Sequence, residues 1–380
     1  MVCLRNARVA QEGSFVTASI WMEDGIIQRI LPNSEAQDGI DCGNRRVVSG
    51  LWDIHTHGAV GVDANAADAD GLVRMGRFLA SHGVTGWLAS IMTDTEETTL
   101  ACIEAVKTAM RRSDGAKLMG AHLEGPFLNP SRKGAMAEEL LRKGDSKLLG
   151  RYLQAGEGCI RMVTVAPEVE GVSKLIEAYS DQVVFCLGHS DATYREAAHA
   201  VSLGAKSVTH CGNAMRLFHQ HEAGLLGAAL EQDLYVETIL DGRHLHPDSV
   251  RVLLHVKGNE RVIAVSDAIM ATGLGDGTFM LGVNPIVVKD GDARLSDGSA
   301  RAGSTLTLDV ALRNVQRFTD QPLLKVLPLF TENPARLLGQ QHRYGKLSEG
   351  YAADLIVLDA DDTIYQTYVS GTLVYQKENP

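Results

Sequence analysis

The sequence predicts an α/β fold: a (β/α)8 barrel with a small β domain made from both chain ends. Three observations predict it. The middle of the chain carries eight short β-branched runs, each followed by a helical pattern or a loop. The two ends share a different texture, short strands broken by tight turns. No G-x-G-x-x-G follows the first central strand, which argues against a doubly wound nucleotide-binding sheet. These boundaries assign residues 1–48 and 345–380 to the small domain and 49–344 to the barrel.

In chain order, ASIWMEDGIIQRI sets the pair Asp24-Gly25 between two apolar runs, the signature of a hairpin. The middle then supplies VVSGLWDIH, VTGWLASIMT, KLMGAHLEG, CIRMVTVAP, VVFCLGHS, AKSVTHC, LYVETILDG and RVIAVSDA as strands. Between them lie the helical patterns TEETTLACIEAVKTAMRR, VSKLIEAYS, DATYREAAHAVSLG and HPDSVRVLLHV. The last segment, YGKLSEGYAADLIVLDA followed by TIYQTYVSGTLVYQ with a turn at Ser370-Gly371, repeats the texture of the start, so the two ends are expected to pair.

Composition narrows the function. The 380 residues are 45% hydrophobic and 22% charged, ordinary for a globular protein with a large core. A net charge of −11 speaks against nucleic acid, whose phosphates need a basic surface. There is no apolar leader in MVCLRNARVAQEGSF and no run of about 18 apolar residues, so no membrane partner is expected. Six scattered cysteines without a CxxC pair read as reduced thiols of a cytoplasmic protein; Cys211, which follows His210, reads as a small buried residue.

Barrel enzymes carry their chemistry at the C-terminal ends of the strands. LWDIHTHG ends strand 1 with His55 and His57, two imidazoles whose i, i+2 spacing aims them at one point. Strand 3 ends in His122 and Glu124, strand 5 in His189, strand 6 in His210, strand 7 in Asp241 and His244, and strand 8 in Asp267. Strands 2 and 4 end without an obvious ligand. A single histidine near a strand end is usually a hydrogen-bonded core residue. Six of eight ends carrying imidazole or carboxylate points instead to a catalytic divalent metal, zinc or ferrous iron. Such an ion lowers the pKa of bound water and polarises a carbonyl, and a free carboxylate can pass the water's proton to a leaving amine. Asp267 is the candidate for that transfer.

With these residues in view, the chain resembles the amidohydrolase superfamily and, within it, the N-acetylglucosamine-6-phosphate deacetylase family. The resemblance rests on SGLWDIHTHG, GAHLEGPFLNPSRKGA, LGHSDATY, VTHCGNAM, AGLLGAAL, ILDGRHLHP, VSDAIMATGLGDG, AGSTLTLDVALRN and GKLSEGYAADLIVLD, in order over residues 49–359. It implies a barrel with a small β-sandwich from both ends. It implies that Glu124, His189 and His210 bind the principal metal and that His55 and His57 can hold a second, giving one or two ions per subunit, with zinc first and ferrous iron as the alternative. Asp267 matches the catalytic acid/base, also able to touch metal, and His244 the residue that orients the acetyl carbonyl. No lysine follows strand 4 in TVAPE, so Glu124 is the expected bridge.

Asn213 and Ala214 match contacts to the sugar phosphate, and Arg301, Ala302 and Gly303 are further substrate-binding candidates. The departures stand at the substrate end. Met136 replaces the usual histidine of the third loop, and His221 replaces the arginine that binds phosphate. Cys211 and Gly212 stand where bulkier residues are common, and Arg301 where an apolar one is usual. Arg132, Lys133, Arg216 and Arg243 are other sources of charge.

The implied activity is hydrolysis of N-acetylglucosamine 6-phosphate to glucosamine 6-phosphate and acetate, in amino sugar catabolism. The alternatives are the galacto epimer, an unphosphorylated N-acetylhexosamine or another N-acyl compound. Relatives dimerise and can donate the phosphate-binding residue across the interface, so a homodimer is expected; whether His221 takes that part is left open. The full set of ligands argues against a metal-free scaffold.

Overall fold

The computed structural model describes residues 2–32, 38–112 and 114–378. Strands from the two ends form one eight-stranded sheet: Val2–Gln11, Ser14–Glu23, Ile26–Pro32, Ile40–Asp41 and Arg46–Ser49 from the start, Leu355–Leu358, Ile364–Val369 and Thr372–Gln376 from the end. The join is antiparallel, Val47 opposite Val357 and Ser49 opposite Leu355. Both expected hairpins have two-residue turns with left-handed backbone, Asp24 and Gly25 at φ 52° and 77°, Ser370 and Gly371 at 50° and 73°. That is the geometry whose twist matches the flanking strands. Ala353 N donates to Gly25 O (2.9 Å) and Ile27 N to Tyr351 O (2.8 Å), so the sheet curls back on itself around Leu4, Val9, Ile20, Met22, Val47, Leu355 and Tyr368.

The middle forms eight parallel strands in sequential order: Leu51–Thr56, Val84–Met92, Lys117–Glu124, Ile160–Val165, Val184–Leu187, Ser207–Val208, Tyr235–Ile239 and Val262–Val265. Strands of a parallel barrel are covered on both faces, which is why their sequences are near-continuous apolar runs; the second is buried at every position. The last strand meets the first through the chain that follows it. Asp267 N donates to His55 O (2.9 Å), and His57 N to Ala268 O (2.7 Å). The expected helices lie outside, among them Glu96–Met110, capped by the Thr95 side chain, and Tyr194–Ser202, whose Thr193 and Glu196 form a reciprocal capping box.

One element has no counterpart in the sequence reading. After the eighth strand, Gly277–Leu281, Asn284–Lys289 and Asp292–Leu295 form a three-stranded antiparallel sheet. Its Leu281, Ile286, Val288 and Ala293 pack on Met92, Leu128, Met136 and Ile269, making a roof at the C-terminal mouth of the barrel. Among the described residues no helix is long and apolar enough to cross a membrane. All six cysteines are buried and unpaired.

His82, at the end of helix Ala69–Ser81, donates through Nδ1 to Asp309 Oδ1 (2.9 Å) on helix Leu308–Thr319, which also holds Arg313 beside Asp309. Burial pushes the Asp309 pKa up, but His82, Thr307 and Arg313 outweigh it and hold the carboxyl below its usual value. A depressed folded-state pKa stabilises above the unfolded pKa of about 3.9, and that contribution disappears as pH falls through the folded value. Asp309→Asn is therefore expected to lower the urea midpoint at pH 7, with the gap to wild type closing below about pH 4.

Candidate metal centre

Strand alternation delivers Asp53 and His55 to the barrel interior, and His57 follows at the strand's end. Glu124 ends the third strand, and His189 and His210 stand just beyond the fifth and sixth. The ligand atoms fall into two groups that share Glu124: His55, His57 and Glu124, and Glu124, His189 and His210. Glu124 Oε1 lies 3.2 Å from His189 Nε2, 3.1 Å from His210 Nε2 and 3.5 Å from His55 Nε2, while Oε2 lies 3.4 Å from His57 Nε2. Asp267 Oδ1 is 3.1 Å from His57 Nε2 and 3.6 Å from His55 Nε2. Three of these residues sit on left-handed backbone, His189 at φ 49°, His210 at 29° and Asp267 at 50°. Such conformations cost free energy in non-glycine residues and cluster where side chains must be aimed.

The donor chemistry fits a divalent ion. His57 Nδ1 donates to Ser90 O (3.1 Å) and His189 Nδ1 to Arg132 O (2.8 Å); a carbonyl only accepts, so both rings carry their proton on Nδ1 and turn a lone pair on Nε2 inward. His55 Nδ1 meets a carboxylate oxygen of Glu237 at 2.9 Å, with the same consequence. His55 Nε2 and His57 Nε2 are then two facing lone pairs 3.2 Å apart, close to the roughly 3.3 Å that separates two ligands of a tetrahedral zinc ion. His189 Nε2 and His210 Nε2 are 3.0 Å apart. Burial works to raise the pKa of Glu124, but His189, His210 and His55, which donate from Nε2 when their rings are protonated, hold it well below the usual range. Burial acts likewise on Asp267, and there a protonated His57 ring, donating from Nε2, and the charges of the neighbouring histidines bring the carboxyl down to about 2.

His122 shares the face of Glu124 but lies a layer deeper. Its Nδ1 is 3.1 Å from Ser90 Oγ and its Nε2 2.8 Å from Thr164 Oγ1, and burial together with the charge of His55 lowers its pKa well below the ordinary value. It braces the site as a neutral ring. His244 is held by Asp241, which accepts from His244 Nδ1 (2.7 Å) and from the main-chain N–H groups of Arg243 and His244 (2.8 Å each), leaving Nε2 for the cavity.

That cavity is about 530 Å³, lined by His57, Glu124, His189, His210, His244 and Asp267 at its floor. Asn213, Ala214, Met136, Arg301 and Gly303 stand on its walls with Arg132, Gly134 and the roof residue Leu281. Ala302 is fully buried behind the wall. His221 is on the surface and away from this lining, in a loop with the exposed Leu217 and Phe218. Arg301 pairs with Asp292 through Nε (2.8 Å), and Arg132 and Arg216 share Asp191. Lys133 Nζ donates to Met136 O (3.3 Å).

The sequence reading had no role for Asp53, Ser90 or Glu237, which support the ligands from below. The signal was there in one case: Glu237 is the one charged side chain in the strand YVETI. Gly134, at φ +55°, is another support. A Cβ there would stand 3.1 Å from His189 Cε1. Gly134→Ala is expected to destabilise by about 1–2 kcal/mol through the left-handed backbone and to displace the His189 ring from the Glu124–His189–His210 group. The checks are thermal unfolding and ion content.

A sequence profile described as the amidohydrolase family matches residues 46–374. The N-acetylglucosamine-6-phosphate deacetylase of Vibrio furnissii is 33% identical, with 98% of this chain and 95% of that protein covered. The N-acetylgalactosamine-6-phosphate deacetylase of Escherichia coli O157:H7 is 31% identical over 96% of this chain and 97% of its own. Among solved structures, a variant of the N-acetyl-D-glucosamine-6-phosphate deacetylase of Mycobacterium smegmatis in complex with N-acetyl-D-glucosamine 6-phosphate superposes with a TM-score of 0.93 at 33% identity, covering 98% of this chain and 99% of that one.

Proposed function

This chain belongs to the amidohydrolase family, and from that premise we propose that it hydrolyses the acetamide of N-acetyl-D-glucosamine 6-phosphate, giving glucosamine 6-phosphate and acetate. The observation that carries the reading is the shared carboxylate Glu124, set between two histidine pairs on the floor of a sugar-sized cavity beside Asp267. A divalent ion bound by Glu124, His189 and His210 supplies activation of water and polarisation of the acetyl carbonyl. Zinc is the first choice for this donor set, ferrous iron the second, with His55 and His57 open to another ion.

The chain's own residues do the rest. Asp267, kept ionised at neutral pH, accepts a proton from the attacking water and returns it to the amide nitrogen as the C–N bond breaks. His244, oriented by Asp241, offers Nε2 to the acetyl oxygen, where negative charge develops. Asn213, the main chain at Ala214 and the side of Gly303 border the sugar, and Met136 closes one wall with apolar surface.

Arg301 is the cavity guanidinium we assign to the phosphate. Its Nε and Nη2 are engaged by Asp292, and Nη1 remains for an anion. A hydrogen bond to a charged group contributes about 1.5–3 kcal/mol, so Arg301→Ala is expected to raise KM for the phosphorylated sugar about 10–100-fold and to leave KM for the free sugar unchanged. Equal effects on both sugars would remove Arg301 from this role.

A second reading, a less phosphate-dependent deacetylase, is favoured by one observation: both cavity guanidiniums already hold carboxylate partners, and His221 lies outside the lining. Rates on N-acetylglucosamine 6-phosphate, its galacto epimer and the free sugars, measured side by side, decide between them. A homodimer built on the loop of Leu217 and Phe218, which are 79% and 57% exposed, would carry His221 towards a partner's site; light scattering of Leu217→Asp reads this directly. Buried unpaired cysteines suit a reducing, cytoplasmic setting.

A further inference from the structure

Glu237 has no place in the reaction described above, yet it is the residue on which one ligand depends. It lies at the middle of strand Tyr235–Ile239, in a barrel interior that such folds ordinarily fill with branched apolar side chains. It is fully buried. One oxygen accepts from His55 Nδ1 at 2.9 Å and from the main-chain N–H of His210 at 3.3 Å; the other oxygen is buried with no hydrogen-bond partner. A buried carboxyl group with one oxygen unpartnered by the protein weakens a core unless it does something there.

The other histidine contacts show what that is. His57 and His189 have their Nδ1 protons held by main-chain carbonyls, Ser90 O and Arg132 O, which no side-chain change removes. His55 has no such carbonyl. Its ring orientation and the inward lone pair on Nε2 rest on the Glu237 side chain alone. Ligating histidines characteristically give their outer N–H to a carboxylate, which fixes the tautomer and strengthens the nitrogen facing the ion. The same oxygen reaches the backbone of His210, so Glu237 spans the two ligand groups from beneath.

We propose that Glu237 is the positioning residue that makes His55 a ligand, and through it gives this chain its second cation position, between His55, His57 and Glu124. The proposal rests on the metal-centre reading and not on the identity of the sugar. Tested by ion binding, it stands or falls separately from the substrate.

The test starts from metal-stripped full-length protein reloaded with zinc or cobalt. Ions per chain are counted by mass spectrometry, and the two steps are followed by cobalt absorption. Wild type is expected to take two ions in two steps. Glu237→Leu is expected to bind the second about 10–100-fold more weakly and the first, whose His210 meets Glu237 only through a main-chain N–H at 3.3 Å, less than about threefold more weakly. Glu237→Gln, close in shape, should weaken the second step as well and guards against a folding defect, with the retained first step as its internal control. A second step of wild-type affinity in either variant overturns the proposal. So does a wild-type chain that saturates with one ion, or an equal loss of both steps, which would mark a general disturbance of the barrel. An enzyme that binds two ions as expected but ignores N-acetylglucosamine 6-phosphate would refute the substrate reading and leave Glu237 in place.

Discussion

Asp267→Asn is expected to lower kcat about 10²–10⁴-fold, with KM little changed and the principal ion retained. The magnitude is that of a general acid–base group acting in the transition state. The sparing of the ion follows from geometry: Glu124, His189 and His210 form their own group without Asp267, whose near neighbours are His57 and His55. Asparagine keeps the shape of the side chain and cannot carry the proton. The residue is also closely fixed. Its backbone is left-handed, its N–H is tied to His55 O, and a Cβ on Gly303 would come 2.9 Å from its carbonyl oxygen. A fall in kcat of less than about tenfold in single-turnover assays would mean that another group moves the proton.

Glu124→Gln has the wider consequence. The carboxylate is common to both ligand groups, with Oε1 against His189, His210 and His55 and Oε2 against His57. An amide keeps the volume, loses the charge and presents an N–H₂ that cannot ligate. Losing an outer support of a ligand typically costs 10–100-fold in affinity, so losing a bridging ligand should cost more than about 100-fold for the principal ion. The expected result is a folded protein that emerges from desalting without stoichiometric metal and without measurable turnover. Retention of wild-type zinc content by this variant would end the proposal that these segments converge on an ion.

Much of this site can be read along the chain. Two imidazoles two residues apart at the close of LWDIHTHG must share a face, and the eight-fold alternation puts each later strand end at the same mouth. The assignment of roles to Glu124, His189, His210, His244 and Asp267 came from resemblance to a family, since spacing shows direction and not partnership. His122 illustrates the limit. It shares the face of Glu124, yet two residues along a strand is also a step down the barrel, and Ser90 and Thr164 claim its two nitrogens there.

By itself the sequence determined the barrel and the terminal β domain but not the roof sheet, and with them the hairpin turns at Asp24-Gly25 and Ser370-Gly371 and the set of groups able to bind metal. These are consequences of local periodicity and of backbone preferences that act within a few residues. Only the tertiary structure decided that Glu124 stands between two histidine pairs, that Glu237 rather than a carbonyl holds His55, that Asp292 and Asp191 occupy the cavity arginines, and that His221 lies outside the lining. Each of those depends on which distant strands become neighbours. Closure of the barrel sets that, bringing residues about 180 positions apart, such as His55 and Glu237, to within a hydrogen bond.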